Sequence, residues 1–396
     1  MTTCDSPAAT PVSATHHLGL ALLALAMGGF AIGTTEFMTM GLLPQIADGI
    51  GESIPTAGHI ITAYAFGVVV GAPLLVALGA RLPRRGLAVA LVLALGVGNA
   101  VTALAGSYGP VMLARFVAGL PHGAYFGVAS LIAASLVPPQ RRGRAVSSVM
   151  LGLSVATVAG VPASTWLGQG FGWRSAYGVV LAIAVLAAVL IACFVPATPG
   201  NPAATVRQEL SALARPQVLV AALTGMIGFG GVFAMYSYVA PLVTEEAGLP
   251  DGSVPLFLLA FGIGSVIGTW AAGRLADWDV WRSVVLGFLS SVVTLVLVVP
   301  LAGSATALAL LVFVVGALGS LLAINLQIRL MHEAGDAEML GAAINHSALN
   351  VANGLGAWFG SVVIAAGHGY RAPSLVGAGL ALAGLLIFLA GTRTRR

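Results

Sequence analysis

Two ionisable side chains stand where their neighbours offer no water. Glu36 lies inside the apolar run ALLALAMGGFAIGTTEFMTMGLLP, and Arg115 inside YGPVMLARFVAGLPHGAYFG. An ionised group in hydrocarbon costs at least ~2.5–3.5 kcal/mol, so each needs a partner or a watered cavity. Glu36 comes eight residues before Pro44, ~12 Å along a helix, and Arg115 five residues after Pro110, roughly 7–8 Å. An arginine side chain spans that difference, so the guanidinium is expected to hold the carboxylate. Burial favours the neutral carboxyl and a guanidinium favours the carboxylate. Opposed in this way, they leave Glu36 able to load and release a proton, with Arg115 tuning it. His122 is a second candidate proton carrier, because an imidazole changes charge near neutrality.

Other polar and aromatic residues sort by helical spacing. Arg115, Gly119, His122 and Phe126 fall on one stripe, and His346, Asn350 and Asn353 on another. Asn325 lies near the end of its own apolar run, and Met235, Tyr236 and Tyr238 precede Pro241. With Tyr64 and Phe126 these groups suit a roomy pocket for a moderately apolar small molecule. Lone amides in membranes also serve as interhelical hydrogen bonds.

What positions these residues is a membrane-spanning bundle. The chain has 396 residues, 58% of them hydrophobic and only 8% charged, against about 25% charged in soluble domains. A helix needs about 20 apolar residues to cross a bilayer. Stretches of that size occur near 18–43, 58–80, 86–106, 110–137, 145–168, 175–196, 217–241, 253–276, 282–302, 305–330, 340–366 and 373–391. The first is expected to be a retained helix rather than a cleaved signal, since residues 1–17 carry no Lys or Arg and the span is about 25 residues long and carries an acid. All 17 basic residues are arginine. With both termini inside, fourteen fall in cytoplasmic segments, Arg81, Arg84, Arg85 and Arg282 among them, and two, Arg174 and Arg371, outside. That is a positive-inside pattern. The outer loops carry Asp48, Glu52, Glu245, Glu246 and Asp251 instead.

Sliding the chain by 197 positions aligns its two halves. Gly28 meets Gly225, Gly33 meets Gly230, Pro44 meets Pro241, Gly67 meets Gly264, Gly71 meets Gly268, Arg85 meets Arg282 and Gly119 meets Gly316. After a one-residue slip, Gly160 meets Gly356 and Ser154 meets Asn350. The expected domains are a tail at 1–17, a six-helix bundle at 18–196, a cytoplasmic linker at 197–216, a second bundle at 217–391 and a tail at 392–396. Parallel repeats of this kind suit secondary transporters, with substrate near the midplane between the halves. The charges break the symmetry: Glu36 and Arg115 correspond to Phe233 and Val312.

Several function classes are excluded. No Walker loop, nucleophile elbow or HExxH motif is present, so neither ATP hydrolysis nor an enzyme active site is expected. Two cysteines, Cys4 and Cys193, make no disulfide framework or metal cluster. The dispersed net charge of +4 is too small for a nucleic-acid surface.

Four strings carry a family likeness: GTTEFMTMGLLPQIADGIGESIPTAG from Gly33, RFVAGLPHGAYFG from Arg115, AGVPAS from Ala159 followed by GWR from Gly172, and NHSALNVANGLGAWFG from Asn345. Through them the chain resembles the major facilitator superfamily, specifically its twelve-span drug:proton antiporters. It is most similar there to bacterial chloramphenicol-resistance exporters and the related arabinose/sugar and purine efflux permeases. The resemblance implies an all-α membrane fold of two pseudo-symmetric six-helix bundles in the bacterial inner membrane. It also implies proton-coupled export, with chloramphenicol ahead of sugars and purines. Arg115 and Gly119 fall on the fourth-span proton-coupling motif, and Gly160 and Pro162 on the fifth-span antiporter motif, a Gly-Pro kink between the halves. The cytoplasmic loop motif survives unevenly. GARLPRR (Gly79 to Arg85) has Ala80 at its acidic position, while GRLADWDVWR keeps Asp277 and Arg282, which makes Asp277 the stronger gating candidate. The expected partners are a small-molecule substrate, protons and the lipid bilayer, with no nucleic acid, no cofactor and no metal, and the chain is expected to work as a monomer. The alternative is a proton-independent facilitator of a sugar or nucleobase, with Glu36 structural.

Overall fold

A computed structural model describes residues 14–79, 82–199, 216–334 and 338–393. Among them every regular element is helical. Eleven helices are long and apolar enough to cross a membrane, and one of these, Asp251–Leu301, has 51 residues. That length is about twice what a bilayer requires. Its helix, Val254–Leu301, is broken at Asp279, whose backbone is extended (φ −173°, ψ 110°). Two spans therefore meet there, and the total is twelve.

The spans are span 1 (Ala14–Gly41), span 2 (Ile54–Gly79), span 3 (Arg84–Leu104), span 4 (Tyr108–Ser135) and span 6 (Trp173–Phe194). Span 5 runs Arg142–Val155, a π turn at Ala156–Gly160, then Val161–Phe171. Span 7 is built from Pro216–Gly228 and Gly230–Tyr236, spans 8 and 9 share Val254–Leu301, and span 10 is Ala305–Ala334. Span 11 is Glu338–Ala365 and span 12 Ala372–Arg393. The π turn falls just before Pro162, where a proline ring removes one backbone donor and crowds the preceding turn. Span 5 thus carries a π bulge at the position where the Gly-Pro kink is expected.

The repeat is visible in the packing. A Cβ on Gly67 would strike the carbonyl oxygen of Phe116, and one on Gly264 that of Phe313. Gly71 and Gly268 stand in the same way against Leu120 and Ala317, and Gly119 and Gly316 against the carbonyls of Tyr64 and Phe261. Every member of these pairs is displaced by the same 197 positions. Spans 2 and 4 therefore cross as spans 8 and 10 do, backbone on backbone, which small residues permit in membranes.

The halves meet along spans 2 and 11 and along spans 5 and 8. Hydrogen bonds between them cluster toward the end carrying the acidic loops. Gln45 Nε2 donates to Asp251 Oδ2 at 2.9 Å, Gln169 Nε2 to the Asp251 carbonyl at 2.9 Å, and Ser361 Oγ to the Pro55 carbonyl at 2.9 Å. Thr62 Oγ1 donates to the Gly354 carbonyl at 3.2 Å. The bundle is closed at that end.

At the opposite end, the Arg84 N–H donates to the Thr198 carbonyl at 2.9 Å and Arg85 Nη1 to that of Val195 at 3.3 Å. These bonds tie the loop before span 3 to the end of span 6. Arg81 and most of the linker expected at 197–216 lie outside the described residues. Asp277 is exposed. The acid that engages Arg282 is Asp279, at 3.5 Å, and Asp279 Oδ1 also accepts the Arg282 N–H at 2.9 Å. Asp279 sits at the helix break, where its carboxylate caps the first turn of span 9, whereas Asp277 is still within span 8.

Candidate functional site

Glu36 and Arg115 are both buried, at 6% and 1% exposure, yet they form no ion pair. Arg115 Nη1 donates to Thr35 Oγ1 at 3.0 Å and Nη2 to the Thr35 carbonyl at 3.2 Å. Its guanidinium lies over the Tyr64 ring, 4.4 Å from the centroid, and 5.4 Å from that of Tyr177. The expected grip of Arg115 on Glu36 is therefore corrected. Depth along the helix suits the pair, but successive residues on a helix point about 100° apart. Thr35 turns into the first half toward Arg115, and Glu36 turns toward the seam.

A hydrogen-bonded network fixes the arginine. Thr35 Oγ1 donates to Asn99 Oδ1, and Asn99 Nδ2 to the Leu95 carbonyl at 2.8 Å. Thr39 Oγ1 donates to the Thr35 carbonyl at 3.1 Å, so the Tyr177 hydroxyl supplies the hydrogen of its own 2.8 Å bond to Thr39. Arg115 is thus a cation held by neutral dipoles and aromatic faces, which suits a desolvated guanidinium. Thr35, Thr39, Asn99 and Tyr177 were not singled out from the sequence. The isolated Asn99 in an apolar span was the available signal.

Glu36 faces a different set of groups. Asn353 Nδ2, from span 11 in the other half, donates to its Oε1 at 3.2 Å. His122 Nδ1 lies 4.0 Å from its Oε2 and 3.1 Å from the Tyr64 hydroxyl. His122 packs on Phe126 with centroids 5.4 Å apart, and Phe126 stacks on His346 at 5.7 Å and an 11° interplanar angle. A file of Tyr64, His122, Phe126 and His346 therefore crosses from the first half to the second just beside the acid. Of the sequence-derived candidates, the structure brings together Glu36, Tyr64, His122, Phe126, His346 and Asn353, with Arg115 beneath the Tyr64 ring.

The remaining candidates are placed around this cluster. Tyr236 stacks on Phe261 at 3.9 Å and meets Phe37 edge-on at 6.1 Å, with Met235 buried beside it. Tyr238 is nearer the closed end, where its hydroxyl donates to the Ala357 carbonyl at 2.7 Å. Asn350 Nδ2 donates to the His346 carbonyl at 3.0 Å and Asn325 Nδ2 to that of Leu321 at 2.9 Å, both within their own helices. Gly119 abuts the Tyr64 backbone, Gly160 lies against Thr34 and Phe30, and Pro162 follows the π turn. The amide oxygens of Asn325, Asn345, Asn350 and Asn353 are all buried with no donor among the described residues. These acceptors belong to spans 10 and 11 of the second half.

A separate groove of about 440 Å³ opens on the flank between spans 2, 4 and 11, lined by Phe66, Met112, Phe116 and Trp358. At its polar edge His59 Nδ1 lies 3.0 Å from the Tyr108 hydroxyl, and His59 Nε2 lies 3.1 Å from Ser361 Oγ. This contact joins the halves, and the sequence reading did not single it out.

Comparisons with known proteins agree with this architecture. The sequence model of the Major Facilitator Superfamily matches residues 25–345. The chain is 40% identical over 376 residues to the "Inner membrane transport protein YdhP" of Escherichia coli (strain K12), covering 94% of this chain and 96% of that one. It is 37% identical over 360 residues to a "Chloramphenicol resistance protein" of Streptomyces lividans, covering 90% and 91%. Among solved structures, that of a D-xylose-proton symporter superposes with a TM-score of 0.70 at 18% identity, covering 94% of this chain and 97% of that one, a likeness of fold alone.

Proposed function

The chain belongs to the Major Facilitator Superfamily of membrane transporters, and from that premise we propose that it is a proton-coupled antiporter exporting a small drug-like molecule. The observation that carries this reading is the buried acid at the seam: Glu36 makes no ion pair with Arg115, which Thr35 engages instead, and its hydrogen bond reaches across to the other half. A carboxyl in that position senses both its proton and the relation of the bundles. Residues 18–196 and 217–391 form those bundles. Termini and linker face the cytoplasm of a bacterial inner membrane, as the arginine distribution favours. In that orientation the bundle is closed toward the outside.

One proton entering down 100 mV and one pH unit releases about 2.3 plus 1.4 kcal/mol. That sustains roughly a 500-fold outward gradient of a neutral substrate. The likeness to a chloramphenicol resistance protein supports an antibiotic of that kind, whose aromatic ring and hydroxyls match the aromatic file and the free amide oxygens. Those same oxygens in spans 10 and 11 favour a second reading, a sugar, whose hydroxyls are donors in abundance. Either substrate would be taken by Tyr64, Phe126, Met235, Tyr236, Asn325, His346 and Asn350.

The test uses protein reconstituted in liposomes under an imposed pH gradient. Chloramphenicol and arabinose uptake are measured for the parent and for Glu36→Gln. We expect gradient-driven chloramphenicol accumulation that the substitution abolishes. Accumulation that survives in Glu36→Gln, or that needs no gradient in the parent, overturns the reading.

A further inference from the structure

The contact between Glu36 and Asn353 is lopsided. Asn353 Nδ2 donates to Glu36 Oε1 at 3.2 Å, whereas Asn353 Oδ1 is buried and meets no donor among the described residues. A carboxylate only accepts hydrogen bonds, while a protonated carboxyl also donates one O–H. Beside a carboxylate the amide oxygen stays unmatched, and an unmatched buried acceptor is unfavourable. Beside the neutral acid the two groups complement each other. The amide N–H donates to one carboxyl oxygen, and the carboxyl O–H donates to the amide oxygen. This pairing works whichever end of the amide faces which oxygen.

Glu36 is in span 1 and Asn353 in span 11, so the pair exists only while the halves are together at the acidic-loop end. We propose that Asn353 is a positioning residue that reads the proton on Glu36, holding the acidic-loop end closed when the carboxyl is neutral and releasing it when the carboxylate forms. The proposal rests on the assignment of Glu36 as the proton site. The other polar groups around the acid do not duplicate this role. His122, Arg115 and Tyr64 belong to the same half as Glu36 and travel with it. Tyr236 and His346 come from the other half and are engaged in ring stacking with Phe261 and Phe126. Neither hydrogen-bonds to Glu36.

The proton needed is the one that drives transport. Loading from outside closes the outer end and sends the carrier inward, and release to the cytoplasm frees the seam to open again. The amide thus turns a local protonation into a choice between two arrangements of the bundles, as a bistable switch requires.

The experiment follows opening at that end in the full chain. Spin labels are placed at Gly106→Cys and Ser304→Cys, with Cys4 and Cys193 replaced by serine, and distances are read in lipid nanodiscs from pH 5 to 9. In the parent the short-distance population falls as pH rises. In Glu36→Gln it stays high at every pH, because two amides pair as the neutral acid and amide do. In Asn353→Leu it stays low, and the amplitude of the pH response falls at least about threefold. Asn353→Ser, too short to reach Oε1, replaces Asn353→Leu should that variant not fold. In Asn353→Asp two carboxyls share a proton, and the midpoint rises by about one pH unit or more, a response that a purely structural role would not produce. The proposal is overturned if Glu36→Gln abolishes the pH response while the Asn353 variants titrate as the parent does. If Glu36→Gln itself keeps the full response, the proton site is elsewhere, and the antiporter reading fails along with it.

Discussion

The two halves share a backbone and divide the chemistry. At Gly67 and Gly264, and at Gly71 and Gly268, the same helix crossing is made twice against carbonyls 197 positions apart. Yet Thr35, Glu36, Tyr64, Asn99 and Arg115 of the first half correspond to Val232, Phe233, Phe261, Val296 and Val312 of the second. Each of these five is replaced by an apolar residue. The unpaired asparagine oxygens among the described residues are arranged in the opposite sense, on Asn325, Asn345, Asn350 and Asn353 of the second half, while the unpaired amide oxygens of the first half, on Gln45 and Gln169, lie at the closed end. Packing has kept the symmetry that helix approach requires, whereas the groups deep in the spans have separated into a half that carries the buried charges and a half that offers asparagine acceptors.

The largest effect should come from breaking the charged side of that division. Arg115→Met removes two charge-assisted hydrogen bonds to Thr35, each worth about 1.5–3 kcal/mol. We expect proton-driven transport to fall about 100-fold or more, measured as initial rates per reconstituted molecule. Arg115→Lys keeps the charge without the planar fork and should fall between the two. At the repeat-related position, Val312→Ala should stay within about threefold of the parent, a buried methyl change of the ordinary kind. Equal losses at both positions would mean that the division is not functional.

Much of this was legible in the sequence because apolar length and glycine register are local quantities. The twelve spans, the 197-residue repeat and the burial of Glu36 and Arg115 follow from counting residues. The partner of Glu36 does not. Residue counting gives depth along a helix, and depth matched Glu36 to Arg115. Azimuth decided otherwise, giving the arginine to Thr35 and the acid to Asn353, which is 317 positions away. Asp279, which caps span 9, was not singled out for a related reason: the capping residue is set by where span 8 breaks, and a run of hydropathy does not show that. Nor did composition mark Gln45, Gln169, His59 and Ser361, since their role lies in a surface made only when the halves meet.

The shared side of the comparison predicts matched damage. Gly67→Ala and Gly264→Ala each drive a Cβ into a carbonyl oxygen of the crossing helix, and overpacking of this kind costs about 1–3 kcal/mol. Both should lower thermal stability in detergent by similar amounts, and loss in one alone would show that the crossings are not equivalent. The acceptor side predicts a smaller effect of another kind. Asn325→Leu preserves volume and removes an oxygen without a protein donor. If that oxygen takes a substrate hydroxyl, KM rises about tenfold, the equivalent of one hydrogen bond of about 1.4 kcal/mol. The maximal rate and the number of protons moved per substrate should not change. A fall in rate at constant KM would make the amide structural.

The smallest effect separates the seam from the switch within it. Gln169 Nε2 donates to the backbone carbonyl of Asp251 across the closed end, a bond between two groups that do not titrate. Its removal in Gln169→Ala loses one peripheral hydrogen bond, about 0.5–1.5 kcal/mol, which shifts the closed population by roughly two- to tenfold. That shift should be the same at every pH, read with the same labels at Gly106 and Ser304. The reason is that Gln169 contributes adhesion and nothing that depends on a proton, whereas Asn353 gains its second hydrogen bond, from the carboxyl O–H to its amide oxygen, only while Glu36 is neutral. A Gln169→Ala shift that grew or vanished with pH would place proton sensitivity in the seam as a whole. The division of labour between the halves would then lose its one point of contact at the Glu36–Asn353 pair.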